Sequence, residues 1–224
     1  MVTLLWAVKG GSGTTVVSSL LALESSRPSL IIDLDGDVPA VLGMPEPDRP
    51  GAVDWLLTDG PTSQLVDLVV DVDDETALLP HGTRPLPATV VQVERWTFLV
   101  DWAQTWERRH DGTVVIDAGT RDIDPALAAA VDVRWMVTRA CYLSLRRASA
   151  LAARPSGVIL VAEAGRSLRR RDVQRSLAAP IVAVVDIDPA VARCVDSGLL
   201  TSRAPRGLRR TLQRAHRDVV GPAA

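Results

Sequence analysis

Lys9 is the only lysine in the chain, and the remaining basic residues are all arginine. It stands in a glycine-rich run, Val8-Lys9-Gly10-Gly11-Ser12-Gly13-Thr14-Thr15. Glycines let a backbone approach an anion closely, and successive N–H groups opening a helix hold phosphate. Two acidic clusters complete the set. One is Asp33-Leu34-Asp35-Gly36-Asp37, and the other is Asp117 followed by Ala118-Gly119-Thr120. A carboxylate at a strand end can hold Mg²⁺ directly or through water, and the ion neutralises phosphate charge. One position departs from this chemistry. A phosphate loop normally closes with G-K-S/T, whose lysine reaches the β- and γ-phosphates. Here the run closes with Gly13-Thr14-Thr15, so that ammonium is missing.

These groups need a frame that brings them to one place. Apolar runs alternate with helical stretches, which predicts an α/β fold with a mostly parallel sheet between helix layers. Strands are expected at Thr3–Val8, Ser29–Asp33, Thr113–Asp117, Val133–Thr138, Gly157–Val161 and Ile181–Val185. Runs such as Leu30-Ile31-Ile32 are apolar on both faces, as buried parallel strands require. Helices are expected at Thr15–Ser25, Ala52–Leu57, Ala88–Arg109, Pro125–Ala130, Leu143–Ala152, Leu168–Leu177, Ala190–Ser197 and Arg206–Val219. Leu65–Pro80 is ambiguous between strand and helix, and Pro45–Pro50 is a loop. Trp102 and Trp106 share a helix face near Trp96 and Leu99, a core pattern. In this frame both acidic clusters follow strands, so their carboxylates lie at the C-terminal edge of the sheet, where such folds build sites.

With 224 residues and 47% hydrophobic content, the chain is read as a single domain, 1–224. Its net charge of −2 conceals a split. Residues 1–138 carry −12 and residues 139–224 carry +10. A positive face of this kind suits nucleic acid, an anionic membrane or an acidic partner, unless the halves interleave in space and the charges mix. Cys141 and Cys194 form no CxxC motif and fit buried thiols in a reducing cytoplasm. No leader sequence and no apolar run near membrane length is present, so a cytoplasmic chain is expected. His81, His110 and His216 show no ligand spacing, and no His/Cys metal site is expected. The preference for arginine over lysine reads as genome composition.

The loop Lys9-Gly10-Gly11-Ser12-Gly13 resembles the deviant Walker A loop of the MinD/ParA ATPases, K-G-G-x-G-K-S/T. Ile31-Ile32-Asp33-Leu34-Asp35 is similar to that family's I-D-x-D segment, Val38–Gly43 to the stretch after it, and Leu79-Pro80-His81-Gly82 to its L-P-x-G segment. Val115-Ile116-Asp117 looks like its Walker B strand. The stretch from Val184 to Gly198 resembles the late strand, loop and helix near the adenine base. The pattern is nearest MinD and its CpaE/TadZ-like relatives.

The resemblance implies a P-loop three-layer sandwich that binds ATP or ADP with Mg²⁺. It implies backbone donors from Gly10, Gly11, Ser12, Gly13 and Thr14, Mg²⁺ ligation by Thr15 and Asp117, and orientation of the attacking water by Asp35. Lys9 is then the signature lysine that crosses a homodimer interface to the partner's phosphates. Thr14 is the departure. A hydroxyl does not replace an ammonium, whose charge-assisted bond contributes roughly 1.5–3 kcal/mol. Weak nucleotide binding and weaker or absent ATP hydrolysis are therefore expected, unless an arginine substitutes.

Three functions follow. The first is a switch that positions or assembles a cellular machine such as a pilus, secretion, division or partition apparatus. The second is a pseudo-ATPase scaffold that recruits a protein partner. The third is a non-specific DNA-binding protein of ParA type. No receiver domain precedes the loop, so partner contacts are expected to use this domain or another chain. Arg166, Arg169, Arg170, Arg171 and Arg175 are either a DNA-backbone contact or a solvated helix face. Leu208, Leu212, Ala215 and Val219, flanked by Arg206, Arg209, Arg210, Arg214 and Arg217, are either a basic membrane anchor or the domain's last helix. Location at the membrane or nucleoid periphery would follow from either contact.

Overall fold

Fully apolar runs with few polar atoms have to be covered on both faces, and here they form the middle of a sheet. The computed structural model describes residues 1–86, 91–203 and 210–215. Strands are β1 Val2–Ala7, β2 Ser29–Asp33, β3 Val70–Asp71, β4 Thr76–Leu79, β5 Thr113–Thr120, β6 Val133–Arg139, β7 Gly157–Ala162 and β8 Ile181–Asp186. Helices are α1 Thr14–Leu23, α2 Val38–Leu42, α3 Ala52–Leu56, α4 Leu65–Leu68, α5 Val93–His110, α6 Pro125–Ala130, α7 Tyr142–Ala148, α8 Arg170–Leu177, α9 Pro189–Asp196 and α10 Leu200–Arg203.

The strands form one sheet in the order β3-β4-β2-β5-β1-β6-β7-β8. Every pairing is parallel except β3 with β4. β1 is buried along its whole length. Its side chains alternate between two cores, as strand geometry requires. Leu4 and Trp6 pack with Trp96, Leu99 and Val100 of α5 on one face. Leu5 packs with Val17, Leu20 and Leu21 of α1 on the other. The result is the expected three layers.

All six expected strands are present. The ambiguous segment 65–80 resolves into α4, β3 and β4. β4 exists because Thr76–Leu79 finds β2 as a parallel partner, with Ser29 opposite Thr76. The helix expected to run to Ala152 ends at Ala148, with Ser149 as its C-cap. α2 and α10 lie outside the helices that the sequence pattern predicts. Trp96 is buried as expected, but Trp102 and Trp106 are half-buried, and Trp106 stacks on His110 at 4.3 Å. Residues 88–90 of the helix expected from Ala88, and most of the one expected at Arg206–Val219, lie outside the described residues. Where that last helix is described, Leu212 and Ala215 are buried in the α1-side core.

The charge split is spatial. β1 to β5 occupy one side of the sheet, and β6 to β8 the other. Within the sheet the halves do not interleave, while α9 and α10 return to pack on α2, and Leu212 and Ala215 join the α1-side core. The acidic half ends at the β3 edge and the basic half at the β8 edge.

Arg95 holds the α5 layer in place. It is buried, donates to Trp55 O at 2.7 Å and Gly60 O at 2.8 Å, and lies 3.5 Å above the Trp55 ring. Arg95→Ala takes the donor from Gly60 O, leaves Trp55 O to its Thr58 donors and removes a cation–π contact, a loss of about 2–4 kcal/mol. Its midpoint in thermal unfolding should fall by roughly 5–12 °C. Arg95→Lys should recover less than half of that, since one ammonium cannot serve the same fork.

Candidate functional site

The chain leaves β1 at the C-terminal edge of the sheet, between β5 and β6, and turns directly into α1. Gly13 makes that turn with φ +85°, a left-handed backbone that favours glycine. Ser12 Oγ donates to Lys9 O at 2.7 Å and closes the loop on itself. No side chain caps the N-terminus of α1, and its first turn carries no acidic residue. Its free N–H groups and its dipole are thus available to an anion. A Cβ added at Gly10, Gly11 or Gly13 would meet nothing within 4 Å, so the space before the loop is open. Lys9 Nζ is folded back to Gly10 O at 3.3 Å. Thr14 and Thr15 are buried at the start of α1.

The two acidic strands end on the same edge. Asp33 of β2 is paired in register with Asp117 of β5, and β5 lies beside β1. Both carboxylates are fully buried. They differ in what satisfies them. Asp33 accepts from the backbone N–H groups of Asp35 at 3.0 Å, Gly36 at 2.8 Å and Val38 at 3.2 Å. Burial pushes its pKa up, and these three donors only partly offset that. Asp33 is thereby a structural pin for the β2–α2 loop. Asp35, two residues on, projects from that loop, half-exposed.

Asp117 is the unsatisfied partner. Its Oδ1 accepts from Ser18 Oγ at 3.2 Å and from Gly119 N at 3.1 Å. Its Oδ2 is buried with no hydrogen-bond donor. Burial raises its pKa to about 7, helped by the charges of Asp33 and Asp35 and opposed by the Gly119 N–H and the Thr15 hydroxyl. Thr15 is close enough to favour the charged carboxylate, although it makes no well-formed hydrogen bond to Oδ2. An orphaned carboxylate oxygen beside a threonine hydroxyl and an open phosphate loop fits Mg²⁺, which is bound through one or two protein ligands, waters and phosphate. Among the described residues no cluster of three His, Cys, Asp or Glu forms a fuller metal cage.

Two arginines reach this site without any motif in the sequence to mark them. Arg121 donates through Nη2 to Leu34 O at 2.7 Å and to Asp35 Oδ1 at 3.1 Å, and through Nε to Ala118 O at 2.9 Å. It ties the loop after β5 to the loop after β2. Gly119 allows this closeness. Its φ is +57°, and any Cβ there would collide with the Asp35 carboxylate. Arg147 of α7 reaches Val8 O at 3.3 Å. Cys141 and Cys194 are half-buried free thiols rather than buried ones. Burial pushes the Cys141 thiol up, but hydrogen bonding with Ser144 and the charges of Lys9 and Arg166 outweigh it and hold the thiol below its ordinary value.

No protein-family model matches the sequence, and no curated protein matches it either. Solved structures do. MinD from Aquifex aeolicus superposes with a TM-score of 0.74 at 17% identity, covering 100% of this chain and 98% of that one. The fold is the MinD/ParA fold. MinD from Pyrococcus horikoshii, solved with Mg-ADP, gives 0.69 at 19% identity, covering 98% of this chain and 96% of its own. A Cyanothece McdA variant in complex with ATP gives 0.70 at 17% identity, covering 100% and 98%. Thus the fold is shared with MinD/ParA structures over nearly the whole chain, while most side chains differ. No described helix is long and apolar enough to cross a membrane.

The structure brings Gly10, Gly11, Ser12, Gly13, Thr14, Thr15, Asp35 and Asp117 to one edge, with Lys9 at its rim. The burial of Asp117 has a measurable consequence. In an unfolded chain its carboxyl titrates near 3.8, against about 7 in the fold. Below the lower value it is protonated in both states and burial carries no charge penalty. Stability is lost as pH rises towards the upper value, because the folded state then holds a proton that the unfolded state has released. Asp117→Asn should therefore unfold about 3–8 °C higher than wild type near pH 8, from about 1–3 kcal/mol. The gap should close as pH falls to about 4. A gap independent of pH would show that the carboxylate is not held this way.

Proposed function

We propose that the chain is a nucleotide-dependent switch of MinD/ParA type that positions or assembles a cellular machine, and that it hydrolyses its nucleotide slowly or not at all. The observation that supports this most is the convergence of an open glycine loop, an uncapped helix N-terminus and the orphaned Asp117 on one sheet edge. In this reading the backbone of Gly10, Gly11, Ser12, Gly13 and Thr14 holds phosphates. Thr15 and Asp117 hold Mg²⁺, which supplies charge neutralisation when bound. Asp35 orients water. Thr14 leaves the β/γ-phosphate bridge without its ammonium, and Arg121, the arginine nearest the carboxylates, is occupied by Asp35. These two facts favour binding with little turnover over an efficient ATPase.

The test is titration with ATP and ADP, with and without Mg²⁺, on wild type and Thr14→Lys. Wild type should bind in a Mg²⁺-dependent way and turn over at least 100-fold slower than the lysine variant, the size of effect seen when one transition-state charge donor is lost, on the order of 10²–10³. Equal rates in two folded proteins would reject the pseudo-ATPase reading.

Lys9 supports a homodimer with the loops face to face. Its ammonium donates to Gly10 O within the loop at 3.3 Å, and two such positive loops repel unless an anion lies between them. Nucleotide should therefore shift wild type towards dimer in sedimentation, and Lys9→Ala should abolish the shift. A monomer in every condition would leave a monomeric scaffold.

A further inference from the structure

The helix beside the phosphate loop turns an amphipathic face to solvent. α7 follows β6, which lies directly beside β1. Its buried residues are Ser144, Leu145 and Ala148, and the last two join the α5-side core. Tyr142, Leu143, Arg146 and Arg147 share the opposite face, as i, i+4 pairs do, and all four are exposed. Tyr142 is 72% exposed and Leu143 42%, far more than a large apolar side chain inside a core. Arg147 holds this face against the end of β1, donating to Val8 O at 3.3 Å. An exposed tyrosine among arginines is the composition in which protein interfaces are enriched.

On the other flank of β1 the sign reverses. β5 lies there, and the loop from its end to α6 carries Asp122 and Pro125, both exposed, and Asp124, half-exposed. Ile123 and Leu127 anchor this loop in the same α5-side core that holds Leu145 and Ala148. Arg121 does not cancel its acids, because Leu34 O, Ala118 O and Asp35 engage that guanidinium. Within one helix layer and along one sheet edge, the phosphate loop thus has carboxylates on one side and arginines on the other.

Two such edges placed face to face can be related by a two-fold axis normal to the sheet, passing through the loop after β1. That axis keeps each helix layer opposite its own kind and exchanges the two flanks. The β5–α6 loop of one copy then meets α7 of the other, and the same contact recurs across the axis, as an isologous interface requires. An axis lying along the sheet edge would instead set α7 against the α1-side layer, where α9 and its N-cap carry Asp188, Arg193 and Asp196 in mixed sign. Only the first arrangement joins opposite charges in both halves of the interface.

We propose that the exposed face of α7 docks a second copy of this chain, on its loop from Asp122 to Pro125, about a two-fold axis normal to the sheet. This rests on the homodimer proposed above and adds its orientation and its contacts. Arg146 and Arg147 of one copy meet Asp122 and Asp124 of the other, and Tyr142 lies over the Pro125 loop. The attraction on both flanks offsets the repulsion between the two Lys9 loops at the axis. An anionic membrane would also attract the arginines, but it would leave Asp122 without a role.

Sedimentation equilibrium with Mg²⁺ and ATP tests this on wild type, Arg146→Glu, Asp122→Arg and the two combined. Each reversal enters the dimer twice and turns attraction into repulsion, so each alone should weaken it about 5- to 30-fold, on the scale of exposed ion pairs. The combined variant should return to within about 3-fold of wild type, because opposite charges face each other again. Tyr142→Ala should weaken the dimer as well. Arg146→Gln and Asp122→Asn serve should a reversal fail to fold. Asp186→Arg, at an exposed acid on β8 three strands from β1, is the control and should not rescue Arg146→Glu. A wild type that stays monomeric in every condition overturns the homodimer itself. A dimer that the single reversals leave unchanged, or that Asp186→Arg rescues as well as Asp122→Arg does, overturns the orientation alone. Binding to phosphatidylglycerol vesicles that Arg146→Glu abolishes while dimerisation is unchanged assigns the face to a membrane and overturns the proposal.

Discussion

Asp117 occupies the most demanding position in the molecule. It ends a central strand, has Asp33 directly across from it and Asp35 nearby, and is closed off from solvent. A carboxylate in such a place is tolerated only with a proton, a cation or enough donors. The fold provides donors for one oxygen and none for the other. The surrounding architecture meets this constraint locally. Ser18 faces it from α1, Gly119 gives its N–H from the same strand end, and Asp33 has three backbone donors of its own. What is left over is one unpaired carboxylate oxygen beside an open glycine loop and an uncapped helix N-terminus. In the proposed function a divalent cation with phosphate would satisfy both.

The same edge explains why Arg121 matters. Three hydrogen bonds fix its guanidinium between the loops after β2 and β5. Asp35 is thereby held by a cation of the chain's own, in a region where neighbouring carboxylates repel it. A rigid pair of loops results, with the glycine at position 119 kept small by contact with Asp35. The engagement of Arg121 by Asp35 is what the proposal of slow turnover adds to the hydroxyl at Thr14.

Away from that edge the sheet is polarised sideways. Acidic residues 73–75 flank the β3 edge, while arginines line β8. Each edge strand is thus protected against pairing with its own kind by like charge, a familiar device against unwanted sheet extension.

Much of this was readable from residue order alone. Glycines with a lone lysine between an apolar run and a helical one specify a strand–loop–helix, because only glycine tolerates such backbone and only buried strands are apolar on both faces. Asp33 and Asp117 at the ends of such runs had to reach the C-terminal edge, since parallel strands share their direction. Contacts between distant segments were not readable. Thr76–Leu79 became a strand because β2 offered an open edge, and nothing local distinguished it from a helix. Asp33 and Asp35 look alike as neighbours in sequence, yet one is held by backbone donors and the other by Arg121. Arg121 and Arg95 carry no pattern, for their roles depend on what lies across from them. Local chemistry is written in spacing along the chain, whereas burial, pairing and charge neighbours are set by where the chain returns.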